Sequence, residues 1–147
     1  MNKKGITLTT LIITASIMII LLGVVSVNIK YISDETNAMK FLNDISMVET
    51  KVMVEQYNAG SQVDYSFVGT QLTTDNPMTI GGITFPKSEG LWYILNTNDL
   101  EKLGLSDITG QYVVDYSTGV VYCVEGVKVN GVKYYNFDDV ARVIDFK

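Results

Sequence analysis

Few residues of this chain can do covalent or acid–base chemistry. Among its 147 residues there is no histidine, which removes the commonest general base and the commonest zinc ligand together. Cys123 is the single cysteine, so no internal disulfide can form. Flanked by Val121, Tyr122 and Val124, it reads as a small buried apolar residue of a strand, with a reactive or intermolecular thiol as the other reading. The carboxylates worth questioning are Asp107, Asp115 and the adjacent Asp138 and Asp139. Two neighbouring aspartates could join a calcium site, yet no Asp-x-Asp-x-Asp-Gly type of loop surrounds them, and a solvated acidic patch is the simpler reading. No Ser-His-Asp set, phosphate-binding loop or Cys/His cluster is present. The sequence therefore predicts no enzyme, no metal site and no other cofactor.

The remaining chemistry is a cut in the chain itself, and its setting is the N-terminal segment. Met1-Asn2-Lys3-Lys4-Gly5 is short, polar and basic, and from Ile6 to Ile29 there is no charged residue. As a helix those 24 residues would rise roughly 36 Å, which exceeds the roughly 30 Å of a bilayer's hydrocarbon core. Lys3 and Lys4 would then hold the N-terminus in the cytoplasm and place everything after Lys30 outside. Three readings fit this segment. One is an uncleaved single-pass anchor carrying a head that binds a ligand or partner. Another is a secretory signal peptide cut after Val24-Val25-Ser26. The third is a cut near the start that leaves the apolar run in the mature chain.

The third reading rests on Lys4-Gly5-Ile6-Thr7-Leu8-Thr9-Thr10-Leu11, which resembles the class III signal of type IV prepilins and type II secretion pseudopilins. Lys4, Gly5, Thr7, Leu8 and Leu11 match that pattern, and Ile6 replaces the usual phenylalanine. The resemblance implies that a prepilin peptidase cuts between Gly5 and Ile6 and that Ile6 is then N-methylated. A glycine before the cut suits an extended backbone lying close to a protease. It further implies partners: other pilin subunits through the N-terminal helix, the membrane, and a pilus assembly platform with its ATPase. The subunit would lie in the cell membrane with an extracellular head, then in an extracellular filament. One position departs from the family, which usually has glutamate where this chain has Thr10. An unpaired buried α-ammonium is costly, so a subunit without that carboxylate is expected to be a minor pilin, and the resemblance of Gly110–Tyr122 to the sheet of Gram-positive pilin-like proteins implies a Gram-positive source. Pilus, competence and secretion machines all remain open.

The elements that would position these residues follow from patterning. Ile32, Ala38, Phe41, Leu42, Ile45, Val48 and Val52 form one apolar stripe among charged residues, and Asn58-Ala59-Gly60 is a helix stop. The division expected is a leader over 1–5, a transmembrane and filament-core helix half over 6–29, an amphipathic half over 30–58, and an exported head over 59–147. A break into two helices near Ser33-Asp34 is the alternative. Within the head, a turn-rich αβ-loop spans 59–98, with a small hairpin folding at Gly81-Gly82. A short capped helix follows over Asn98–Gly104. A β-meander over about 111–136 then turns at Ser117-Thr118-Gly119 and at Asn130-Gly131. The fold class expected is α+β: a pilin fold with one long N-terminal helix packed on a small antiparallel sheet. Net charge is −5, and without Lys3 and Lys4 nine basic residues face sixteen acidic ones. No broad basic face exists for nucleic acid, so none is expected to bind.

Overall fold

The computed structural model describes the backbone of residues 3–145 and the side chains of residues 10–20 and 33–144. Helix α1 covers Lys3–Gly60 without a break at Ser33-Asp34. No proline precedes Pro77, so nothing removes a backbone donor from its interior. It unwinds where Ser61 N–H donates to Asn58 C=O and Gln62 N–H to Ala59 C=O.

Seven strands and two short helices follow. They are β1 (Thr70–Gln71), β2 (Met78–Ile80), β3 (Ile83–Phe85), β4 (Trp92–Leu95), α2 (Thr97–Lys102), β5 (Tyr112–Asp115), β6 (Val121–Val129), β7 (Val132–Asn136) and α3 (Phe137–Asp145). The main sheet is antiparallel with order β1-β4-β5-β6-β7, and β2 and β3 make a separate two-stranded sheet.

The expected membrane-spanning half over 6–29 is corrected. Among the described residues no helix is long and apolar enough to cross a membrane. The single-pass location with an extracellular head loses its basis, and so do the transmembrane and pilin descriptions. The architecture is α+β, with a five-stranded antiparallel sheet and a second small sheet in place of the expected pilin fold.

Two apolar clusters hold the sheet. On one face Ala38, Phe41, Ile45, Val48 and Val52 of α1 pack with Leu95, Val114, Val121, Val127 and Val129, and Val140 of α3 closes the same cluster. Gln56 Nε2 donates to Tyr116 C=O at 3.0 Å, tying the end of α1 to the β5–β6 turn. On the other face Phe85, Trp92, Val113 and Tyr122 pack with Leu72 and Ile80, so the small sheet covers that side. Burying aliphatic and aromatic side chains on both faces stabilises by about 1.5–3 kcal/mol per large side chain.

The two hairpin turns follow their glycine chemistry. Gly81 and Gly82 sit at φ +57° and +82°, and Asn130 and Gly131 at +51° and +86°, the paired positive φ values of a two-residue hairpin turn. The β6 strand differs from expectation. Between the pairs Tyr122↔Asn136 and Val127↔Tyr134 it advances five residues while β7 advances two. The surplus bulges outward at Cys123–Gly126, with Gly126 at φ +62°, where a Cβ would lie 2.6 Å from the Tyr134 carbonyl oxygen. Gly126 thus merges into one long strand what the sequence suggested were separate hairpins.

Candidate functional site

The first part of α1 is the most unusual surface of the molecule. Leu11, Ile12, Ile13, Ile17, Met18, Ile19 and Ile20 are all exposed, from 51% for Ile17 to 71% for Ile19. At about 100° per residue they point all round the helix. The polar residues among them turn inward on the backbone: Thr14 Oγ1 donates to Thr10 C=O, and Ser16 Oγ to Ile12 C=O at 2.9 Å. What is left outside is a hydrocarbon surface of a kind that marks an interaction site.

Further along α1 other apolar side chains are exposed. Met39, Met47, Met53, Val54 and Tyr57 are exposed and fall within a sector of about 120°. That sector lies roughly opposite the stripe of Ala38, Phe41, Ile45, Val48 and Val52 that holds the sheet. Here α1 therefore carries one apolar face buried by its own head and an outer face on which these apolar residues alternate with exposed Asn43, Ser46 and Thr50. The outer one was legible as Met39, Met47 and Met53, but the charged residues between them mask it in a reading for a single stripe.

Lys3, Lys4, Gly5 and Ile6 lie in the first turns of α1, and their side chains fall outside the described residues. Thr10 is exposed on the same helix, two turns into it. The carboxylates singled out by type are not brought together. Asp115 is buried and accepts from Leu91 N–H (2.7 Å), Ser117 N–H (2.9 Å), Ser117 Oγ (2.6 Å) and Thr118 Oγ1 (2.7 Å). Burial pushes its carboxyl up, but the bonds from Ser117, Thr118 and Leu91 outweigh this and hold it below the ordinary 3.8. It fastens a turn. Asp138 and Asp139 open α3, favourably placed at a helix N-terminus. Asp139 N–H donates to Asn136 Oδ1 at 2.9 Å. Asp107 is exposed in a loop. Among the described residues no group of three or more Cys, Asp or Glu could hold a metal ion.

Cys123 is buried beside a groove of about 380 Å³ between α1 and the β6 bulge, lined in part by Lys40, Phe41, Asp44, Tyr112 and Glu125. Its thiol lies 3.6 Å from Glu125 Oε2. Burial, chiefly, raises both the Cys123 thiol and the Tyr112 phenol, and the neighbouring carboxylates add to this. A protonated thiol is a poor nucleophile, so the groove offers charge of both signs and shape rather than reactivity.

No family model, curated protein or solved structure matches the chain. The functional reading rests on the surface itself.

Proposed function

We propose that the chain is a structural subunit of a type IV pilus-like filament, matured by a prepilin peptidase that cuts between Gly5 and Ile6. The observation that carries this reading is the exposed apolar surface of Leu11–Ile20, with Met39, Met47, Met53, Val54 and Tyr57 also exposed further along the helix. Covering each large side chain is worth about 1.5–3 kcal/mol. The α1 helices of neighbouring subunits are the matching surface, since packing helix on helix along such stripes buries both at once. The head then forms the wall of the fibre. Assembly draws on a platform protein and its ATPase as further partners, and N-methylation of Ile6 follows the cut. Thr10 in place of the family's glutamate makes the role of a minor subunit the favoured one, because the carboxylate that would neutralise a neighbour's new α-amino group is missing.

Mass spectrometry of the native protein, recovered from isolated fibres, tests this. The expected N-terminus is Ile6, and Gly5→Ala is expected to leave Met1–Gly5 attached and to reduce the processed fraction at least about tenfold. An intact N-terminus on protein found outside any fibre overturns the reading. Recovery as the bulk subunit overturns the minor role alone.

A further inference from the structure

The oxidisable sulfur of this chain is unevenly placed. There are six methionines and one cysteine. Cys123 is buried, and Met78 of β2 is half-buried against the cluster that holds Leu72, Ile80 and Phe85. Met1 lies outside the described residues. The other four, Met18, Met39, Met47 and Met53, all stand on α1 and are exposed, from 42% for Met47 to 62% for Met18. At about 100° per residue they fall within one sector of about 120°. That sector is roughly opposite the stripe that α1 buries against the sheet. Among the described residues, every exposed sulfur-bearing side chain is therefore on one side of one helix.

An exposed thioether reacts with hydroperoxides without first losing a proton, whereas a thiol must become a thiolate. Burial raises the Cys123 pKa and disfavours that thiolate. In the methionine reaction a sulfur lone pair takes the terminal oxygen of the peroxide. The S–O bond forms as the O–O bond breaks, and the proton of the transferred oxygen passes to the departing one, which leaves as water or an alcohol. Sulfur loses two electrons and the peroxide gains them. The product sulfoxide is polar where the thioether was apolar, and it is reversible: two thiols of a methionine sulfoxide reductase become a disulfide and the oxygen leaves as water. At Met47 the helix already offers a donor for that oxygen, since Asn43 Nδ2 donates to Met47 Sδ at 3.6 Å. A thioether accepts only weakly, so the contact strengthens on oxidation.

We infer that Met18, Met39, Met47 and Met53 form a reversible oxidation site for hydroperoxides, and that oxidising them releases α1 from its neighbours in the fibre. Each sulfoxide places a polar group on the side of α1 that neighbouring helices would cover, and burying it without a partner costs free energy that burying a thioether does not. The consequence for assembly rests on the filament reading. Which sulfurs react follows from their exposure alone.

The test treats the full chain with hydrogen peroxide, maps the sulfoxides by peptide mass spectrometry and follows assembly by sedimentation. In the free subunit the four α1 methionines are expected to gain oxygen at least about tenfold faster than Met78, and in the fibre to be protected. Sedimented protein is expected to fall at least about tenfold on oxidation and to recover with methionine sulfoxide reductases and a thiol reductant. The melting temperature of the oxidised free subunit should stay unchanged; a clear drop would assign the loss to unfolding and overturn the inference. Met18→Leu, Met39→Leu, Met47→Leu and Met53→Leu combined keep the apolar volume without the sulfur, and peroxide is expected to leave that variant's assembly at whatever level it had. Equal oxidation of Met78, full assembly by the oxidised wild type, or no recovery on reduction overturns the inference and leaves the filament reading standing. Reduced wild type that forms no fibre overturns both.

Discussion

At the scale of single residues the molecule spends its buried charge on turns. Asp115 gathers four donors from Leu91, Ser117 and Thr118, and an amide in its place would turn an NH2 toward donors. Asp115→Asn is expected to lower stability by about 1–3 kcal/mol, seen as a lower urea midpoint at unchanged slope. Its folded pKa is depressed, so its contribution is present above the ordinary value of 3.8 and is lost as pH falls through the folded value. Glu49 has the opposite sign. Burial first, and then the charge of Asp138 on α3, raise its pKa above 4.5. A raised carboxyl favours the fold below the unfolded value and loses that contribution as pH climbs through the folded one. Glu49→Gln is therefore expected to raise the melting temperature at neutral pH and to leave it unchanged well below pH 4.5; an equal effect at both would sink the assignment. The burial of Cys123 was legible from its apolar neighbours. The role of Asp115 was not, because its four donors come from a turn and from Leu91, just before β4 and 24 residues away in sequence.

At the scale of elements, the helix–sheet seam is where local pattern and tertiary packing agree. Of the stripe Ile32, Ala38, Phe41, Leu42, Ile45, Val48 and Val52, which predicted a buried face, five are buried against the sheet and Leu42 is half-buried beside them, while the Ile32 side chain lies outside the described residues. Ile45→Ala should cost about 3 kcal/mol through the cavity it leaves, measured by chemical unfolding; a loss below about 1 kcal/mol would show that the seam closes over the gap. The hairpins over Met78–Phe85 and at Asn130-Gly131 were legible because glycine at positive φ is a local demand. Three features were not. The short helix expected from Asn98 starts one residue earlier at Thr97, with Asn96 as its cap: Asn96 Oδ1 accepts from Asp99 N–H, and Asp99 Oδ2 accepts from Asn96 N–H. The acidic Asp138-Asp139 pair begins α3, which an acidic-patch reading conceals. The bulge at Cys123–Gly126 depends on the partner strand, and no periodicity within β6 announces a register shift.

At the scale of the whole molecule, composition and charge narrowed the function classes before any element was placed. The absence of histidine and the net charge of −5 argue against acid–base catalysis and against a broad polyanion-binding face. Composition overreached over the first part of α1. A count of uncharged residues predicts a bilayer crossing, whereas among the described residues no helix is long and apolar enough for one. The exposed hydrocarbon of Leu11–Ile20 nonetheless demands a cover, and helices of neighbouring copies are the cover proposed for it.

The two outermost strands of the main sheet bear on how such a polymer could be taken apart. One rim is β1, only two residues long, and the other is β7, which carries Lys133 and has α3 packed against it. Rims this short, charged or shielded do not template the addition of a foreign strand. Copies of this chain would then be joined by side chains and not by a shared backbone ladder, so a fibre could shed subunits with each head still folded. It would behave as something disassembled and reused, and it would lack the permanence of a cross-β aggregate.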